Sequence, residues 1–286
     1  MSPRLTDKLA TAVMWLAALL ILGILFCFLG YMLIKGLPVL SWDFIFGMPS
    51  DTRAGGGVGP QLFNSFYILF LSMALAMPVA IGAGIYLAEY AGNNWLTDLV
   101  RLSTESLASV PSIVLGLFGM IVFVNMAGFS ISIIAGALSL MLLNLPVLVR
   151  VTEESVRTVP ASFREASLAL GATKWQTIWR VVLPNALPGI ITGVTLTAGR
   201  ALGETAILIF TSGTTVSRHL PDFDLLASGE TLAVHMWYVM AVGLVPDRMD
   251  IANGIGALLI LMVLLFNLAL AIPAELLRRR MTGSGR

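Results

Sequence analysis

The sequence is poor in charge. Only 12% of its 286 residues are Asp, Glu, Lys or Arg, against 57% hydrophobic, where a soluble domain carries about a quarter charged residues. Such a chain cannot cover itself with a polar surface in water. Its solvent is lipid, and it reads as a polytopic membrane protein. The net charge of +1 leaves no basic footprint for nucleic acid. The single cysteine, Cys27, sits in an apolar run, so no intrachain disulfide is available. The two histidines, His219 and His235, read as lying in one late loop without Cys or acidic residues at ligand spacing, which argues against a metal. A His-x-x-x-His pair, a mid-membrane Asp pair and Gly-x-Ser-x-Gly are also missing, and with them the groups an intramembrane enzyme would use. The stretch Gly55-Gly56-Gly57-Val58-Gly59-Pro60 lacks the Lys-Ser/Thr of a nucleotide P-loop and reads as an irregular outer turn.

What is present is a series of long apolar runs. Six approach the roughly 20 residues that a bilayer core demands: 12–34, 66–87, 107–126, 130–149, 187–210 and 251–271. The expectation is an all-α protein of six transmembrane helices in one permease-sized domain, 1–286, with a peripheral first helix and core helices over 66–271. The run 12–34 is too long for a signal-peptide core and reads as a retained span. Ala127-Gly128-Phe129 makes a tight hairpin of the third and fourth runs. The stretch 232–245 is too short for a span and reads as an amphipathic or re-entrant helix on the outer face. Pro78, Pro111 and Pro146 fall inside spans two, three and four, where they bend helices without revealing whether the bend is packing or pathway.

Basic residues orient the chain. With the N-terminus in the cytoplasm, the inner segments collect Arg4, Lys8, Arg101, Arg150, Arg157, Arg164, Lys174, Arg180, Arg278, Arg279, Arg280 and Arg286. The outer ones hold Lys35, Arg53, Arg218 and Arg248. That is about three to one in favour of both termini inside.

Residues 150–186, between spans four and five, carry the densest pattern. Pro160 precedes Ser162 and Glu165, which have capping-box spacing. Gly171 is a natural helix stop, Thr173 can cap a second short helix, and Pro184 is expected to end it. Two short helices bearing charges beside Ala, Leu and Trp cannot bury their apolar side alone. Local physics allows both a docking element for a partner and a helix resting on lipid headgroups. Glu165-Ala166-Ser167, then Gly171, then Val181 and Leu183-Pro184, resemble the EAA loop of ABC importer permeases, with Ser167 where a second Ala is usual. The resemblance implies a coupling helix that inserts into a groove of an ATPase subunit. Ser162, Phe163, Arg164, Glu165, Ala166, Ser167, Leu170 and Gly171 are the candidate coupling residues.

The fifth run holds Gly199-Arg200-Ala201-Leu202-Gly203-Glu204-Thr205. An arginine at mid-membrane costs at least about 2.5–3.5 kcal/mol to insert, so Arg200 should face protein or a polar cavity. Glu204 stands at i+4, where a continuous helix would pair it with Arg200. Gly193, Thr197, Arg200, Glu204 and Thr211 would then share one stripe. A structural ion pair and an anion path are both compatible with that stripe; a guanidinium can bind phosphate oxygens bidentately, with threonine hydroxyls as further donors. Elsewhere in the spans, Glu105 is expected to snorkel to the inner interface and Asn144 to make an interhelical hydrogen bond.

Arg-x-x-Gly-Glu-Thr over 200–205 resembles the signature of permeases of the phosphate-specific transport (Pst) system. So do Gly84-Ile85-Tyr86-Leu87-Ala88-Glu89-Tyr90 and Pro111-Ser112-Ile113-Val114-Leu115-Gly116-Leu117-Phe118. Overall the chain looks closest to the PstA type, with features of PstC around Gly203. The resemblance implies a type I ABC importer permease fold (MetI-like) in a bacterial plasma (inner) membrane. It implies a phosphate path through Arg200 and Glu204, with Thr197 and Thr211 beside it. The partners it implies are a homologous PstC-like permease, a PstB-like ATPase dimer and an extracytoplasmic PstS-like phosphate-binding protein. ATP and Mg would belong to the ATPase, with no cofactor and no enzyme activity in this chain. Another oxyanion, or an ion-coupled transporter needing no ATPase, are the competing readings.

Overall fold

The computed structural model describes residues 3–50, 53–92, 94–216 and 221–282. Arg218, His219 and Arg286 lie outside the described residues. Those described form helices and no strand. The first, α1 (Pro3–Gly36), is apolar all round, and none of its membrane-length window is buried in the protein. A 3-10 turn (Leu37–Val39) and a short α2 (Trp42–Phe46) follow at the end of the bundle expected to face outward, here the outer end, the opposite one being the inner end. The side chain of Ser41 caps α2 by accepting from the Phe44 N–H at 3.1 Å.

The bundle proper starts with α3 (Gly59–Ile85), which keeps Pro78 inside it and ends in a π turn, Tyr86–Tyr90. Asn94 then caps α4 (Trp95–Ala108). After a break come α5 (Ser112–Gly119) and a second π turn, Met120–Met126. The expected hairpin follows, with Gly128 at φ 74°, and α6 (Ile133–Arg157) returns. Next are α7 (Ala161–Ala169), α8 (Lys174–Thr177) and a third π turn, Ile178–Val182, which runs directly into α9 (Leu183–Leu202). The chain ends with α10 (Ala206–Thr211), α11 (Leu232–Ala241) and the long α12 (Arg248–Thr282).

The helix α6 is the hub, packed between α3 and α9, with α12 against α9 and α10 against α5. Ile68, Leu140, Ile207, Leu208, Leu232 and Ile255 form the fully buried centre of this core. A smaller cluster at the inner end, Val156, Val159, Val182, Ala186 and Ile190, fastens the 150–186 loop to the bundle.

Five helical stretches among the described residues are long and apolar enough to cross a membrane, and a sixth if the bent pair α4 and α5 counts as one span. That pair corrects the third expected run, 107–126. The chain turns by 99° between Trp95–Ala108 and Ser112–Met126. Pro111 is the cause. It bars the helical conformation at Val110 and starts α5 rather than kinking a helix from within. The stretch Ser112–Met126 therefore rises only about 22 Å at 1.5 Å per residue, short of the ~30 Å core. The helix α4 has apolar and polar faces and lies across the bundle's inner end, against α6.

Other expectations also move. The helix α6 runs on to Arg157, well past the expected 149. Pro184 stops nothing: it follows the π turn directly, and the chain stays helical through it into α9. The capping box forms at Thr173 and Gln176 instead of Ser162 and Glu165; Pro160 precedes α7 without a side-chain cap. Within the segment 232–245, Leu232–Ala241 is helical and too short to span. It packs against α3, α10 and α12 with His235 buried on it, so His235 is a core residue on a helix rather than a loop residue.

Candidate functional site

The fifth expected span is broken where the charges lie. Gly203 closes α9 at φ −93°, ψ 1°, a bridge conformation outside the helical region. A new helix, α10, begins three residues later. Arg200 thus occupies the last turn of α9, and Glu204 precedes α10, where the Ile207 N–H donates to its Oε1 at 3.5 Å. The expected i, i+4 ion pair is absent. Among the described residues neither Arg200 nor Glu204 makes a salt bridge. Each charge sits instead at the helix end whose dipole favours it, the cation at a C-terminus and the carboxylate at an N-terminus.

Depth follows from packing. Gly193 lies against Val151 and Gly189 against Ser155, so close that a Cβ at either would overlap its neighbour. With α9 and α6 antiparallel in this register, Arg200, two turns further along, comes level with Asn144 near the middle of α6. Asn144 is buried, and neither of its side-chain polar atoms has a partner. The hydrogen bond expected of it is not made.

The polar stripe is divided as well. Arg200 is exposed from the protein, on the same face as exposed Leu196 and Thr192. Thr197 and Thr211 are buried and turn back to their own helices, Thr197 Oγ1 donating to Gly193 O at 2.8 Å and Thr211 Oγ1 to Ile207 O at 2.9 Å. A charge at this depth does not face lipid freely. The Arg200 face therefore borders another protein surface or an aqueous path.

The second site is the inner loop. The helix α7 projects from the bundle between Pro160 and Gly171, whose φ of 83° fits the expected helix stop. Ser162, Phe163, Glu165, Ala166 and Leu170 are exposed, and Leu170 keeps 90% of its surface. Ser167 is turned inward, its hydroxyl 2.9 Å from Thr177 Oγ1, which ties α7 to α8. Arg164 is also turned inward. Its Nε and Nη2 donate to Glu89 Oε1 at 2.8 and 2.6 Å, and its Nη1 and Nη2 reach Val159 O and Val156 O at 2.6 and 2.8 Å. Phe163 and Leu170 thus leave apolar surface open on α7 beside the exposed Glu165, while Arg164 is satisfied behind it, a combination suited to a protein partner.

Further ionic contacts brace this end. Glu153, buried, receives Arg101 Nε at 3.0 Å and Arg157 Nη2 at 2.9 Å. Arg150 pairs with Glu154 at 2.7 Å and with Glu105, so Glu105 is held by an arginine rather than snorkelling alone. On the outer side, Glu230, His235 and Gln61 form a buried cluster, with His235 Nδ1 2.8 Å and Gln61 Nε2 2.9 Å from Glu230 Oε2. Sequence reasoning assigned no part to Glu89, Glu153 or Glu230. Their signal was scarcity: in a chain so poor in charge, each carboxylate beside an apolar run needs a partner.

Comparison with known proteins fits this architecture. Residues 80–283 match the family described as the binding-protein-dependent transport system inner membrane component. A probable ABC transporter permease protein, YqgI of Bacillus subtilis (strain 168), is 45% identical over 99% of this chain and 100% of its own length. The phosphate transport system permease protein PstA of Xylella fastidiosa (strain Temecula1) is 37% identical over 73% of each chain. PstA of Pasteurella multocida (strain Pm70) is 32% identical over 93% of each. Among solved structures, the inward-facing MetNI methionine ABC transporter superposes with a TM-score of 0.60 at 24% identity, over 77% of this chain and 94% of that one. A bacterial alginate ABC importer gives 0.67 at 15% identity, over 95% and 98%. The fold is that of the membrane subunits of these importers. The chain therefore belongs to the binding-protein-dependent transport system inner membrane component family and, within it, to the PstA-type permeases of ABC importers.

Proposed function

We propose that this chain is the transmembrane permease subunit of an ATP-driven phosphate importer in a bacterial inner membrane. The observation that carries the reading is Arg200: an exposed, unpaired guanidinium at mid-depth, on a helix broken at Gly203. Broken helices whose ends flank a polar site are a common way to hold an ion inside a membrane. Arg200 offers planar donors to phosphate oxygens. Glu204, four residues on, limits how tightly an anion is held, and Asn144 adds an unpartnered amide at the same depth. Thr197 and Thr211 back the path from the buried side. The names of the PstA relatives support phosphate over other oxyanions.

The exposed Arg200 face would meet a homologous PstC-like permease, with the phosphate path between the two. The loop 150–186 would dock on a PstB-like ATPase dimer, which supplies ATP, Mg and the hydrolytic chemistry. A PstS-like binding protein would deliver phosphate from outside. Both termini would be cytoplasmic, because Arg101, Arg150, Arg157 and Arg164 gather at one end of the bundle, opposite Asp222 and Asp247 in the two segments flanking α11. ATP-driven closure of the ATPase dimer would draw the docking loops together and open the path outward; hydrolysis would return it inward.

The test is labelled-phosphate uptake by the reconstituted transporter carrying Arg200→Gln, with ATPase assembly followed in parallel. Loss of uptake with assembly intact is expected. Undiminished uptake would remove Arg200 from the path.

A further inference from the structure

Four hydrogen bonds converge on the guanidinium of Arg164, and they join three separate elements. Two go to Glu89 Oε1, in the π turn that ends α3. The others go to Val156 O in the last turn of α6 and to Val159 O just beyond it. The pair is well covered, with the Glu89 side chain 9% and the Arg164 side chain 22% exposed. Lys174, beyond the Gly171 turn, bonds to the backbone carbonyl of Glu89 and lies 4.5 Å from the centre of the Tyr90 ring. Both arms of the docking loop are thus fastened to the inner end of α3, a helix far from them in sequence.

Chain connectivity alone links α7 to α6 through Pro160 and to α9 through Gly171 and α8. Thr158, Val159 and Pro160 lie outside helices, and Gly171 is a left-handed glycine, so the backbone of both links is irregular; beyond Gly171 the Ser167–Thr177 hydrogen bond already ties α7 to α8. Through the first link, the backbone alone would pass a force on α7 poorly. The guanidinium spans this link, because Arg164 is on α7 and two of its acceptors belong to the end of α6 and the link beyond it. A planar fork with several simultaneous acceptors is pre-organised and does not flex as a lysine would.

From this geometry we infer that Arg164 and Glu89 form a strut carrying movement of the docking helix into α3, and so into the core of the bundle. Arg164 is then a transmitting residue rather than a contact residue for the ATPase. This inference rests on the reading of the chain as an ATP-driven permease. The π turn gives Glu89 its aim, since the extra residue in Tyr86–Tyr90 rotates the end of α3 relative to its apolar face.

The experiment compares Glu89→Gln and Arg164→Lys with the unaltered chain in the complete reconstituted transporter. It records ATPase co-purification, ATP hydrolysis and phosphate uptake. Glutamine keeps the shape of Glu89 without its charge, and lysine keeps the charge of Arg164 without its fork. The expected result is normal co-purification, continuing hydrolysis and a fall of about tenfold in phosphate moved per ATP, within the usual range of a coupling between sites. An unchanged ratio would reduce the pair to packing. Loss of co-purification would make it a support for the docking surface, and would equally overturn the inference. A measurement on the unaltered complex avoids reliance on variants: ATP should alter amide exchange at Tyr86–Tyr90 together with α7, and a response confined to α7 counts against the strut. If no ATPase co-purifies even with the unaltered chain, the transporter reading fails and this inference fails with it.

Discussion

Glu153→Ala should destabilise the bundle, and the structure sets the size of the effect. The Glu153 carboxylate is 7% exposed and receives two arginines, Arg101 from α4 at 3.0 Å and Arg157 from its own helix at 2.9 Å. Removing one partner of a fully buried pair costs about 3–5 kcal/mol. Here both guanidiniums keep a route to water, at 22% and 48% exposure, so the expected cost is lower, about 2–3 kcal/mol. At roughly 2–4 °C per kcal/mol for a chain of this size, the thermal midpoint in detergent should fall by about 4–12 °C. Asp98 provides the internal comparison. It pairs with the same Arg101 at 3.4 Å but is 73% exposed, and such surface pairs contribute about 0–1 kcal/mol. Asp98→Ala should therefore shift the midpoint by no more than about 4 °C. Thermal denaturation of both variants, read by helical signal or by aggregation, decides the matter. Equal shifts would refute the claim that burial of Glu153 makes it a brace between α4 and α6.

Other perturbations have defined outcomes. Gly193→Leu should clash with Val151 and cost about 1–3 kcal/mol, seen as a lower midpoint that Val151→Ala partly restores. Asn144→Leu removes a buried amide with no partner, so the midpoint should hold or rise, while phosphate uptake falls if that amide serves the path. Gly171→Ala forces a Cβ into the left-handed region at a cost of about 1–2 kcal/mol; faster amide exchange in α7 would register it. Leu170→Asp should cut ATPase co-purification while leaving the midpoint unchanged, because this side chain is 90% exposed and packs on nothing within the chain.

Hydropathy made the long helices readable. The runs 12–34, 66–87 and 251–271 fall within observed helices, and 130–149 does so from Ile133, because a lipid-facing helix needs only apolar length. The two runs that failed, 107–126 and 187–210, failed at Pro111 and Gly203. Residues that break a helix do not lower hydropathy, so a window average passes over them. The Arg200–Glu204 pairing was inferred by assuming unbroken helical spacing, and the break at Gly203 removes that assumption. The loop 150–186 was legible in part: Gly171 and Thr173 act locally as expected, while the Ser162–Glu165 box did not form and Pro184 did not end the helix. Arg164's contact with Glu89 spans 75 positions, and no local pattern reports such a pairing.

The third π turn, Ile178–Val182, leads without interruption into α9. Each such turn holds one residue more than the α-helix around it. Because the wide turn absorbs that residue, deleting it would restore regular winding and leave the bearing of α7 and α8 about the axis of α9 nearly unchanged, whereas a surplus residue wound as regular α-helix would swing them by about 100°. The wide turn thus keeps the bearing of the loop insensitive to one surplus residue. A change of one residue in length at this turn is therefore taken up locally and leaves the loop aimed as before.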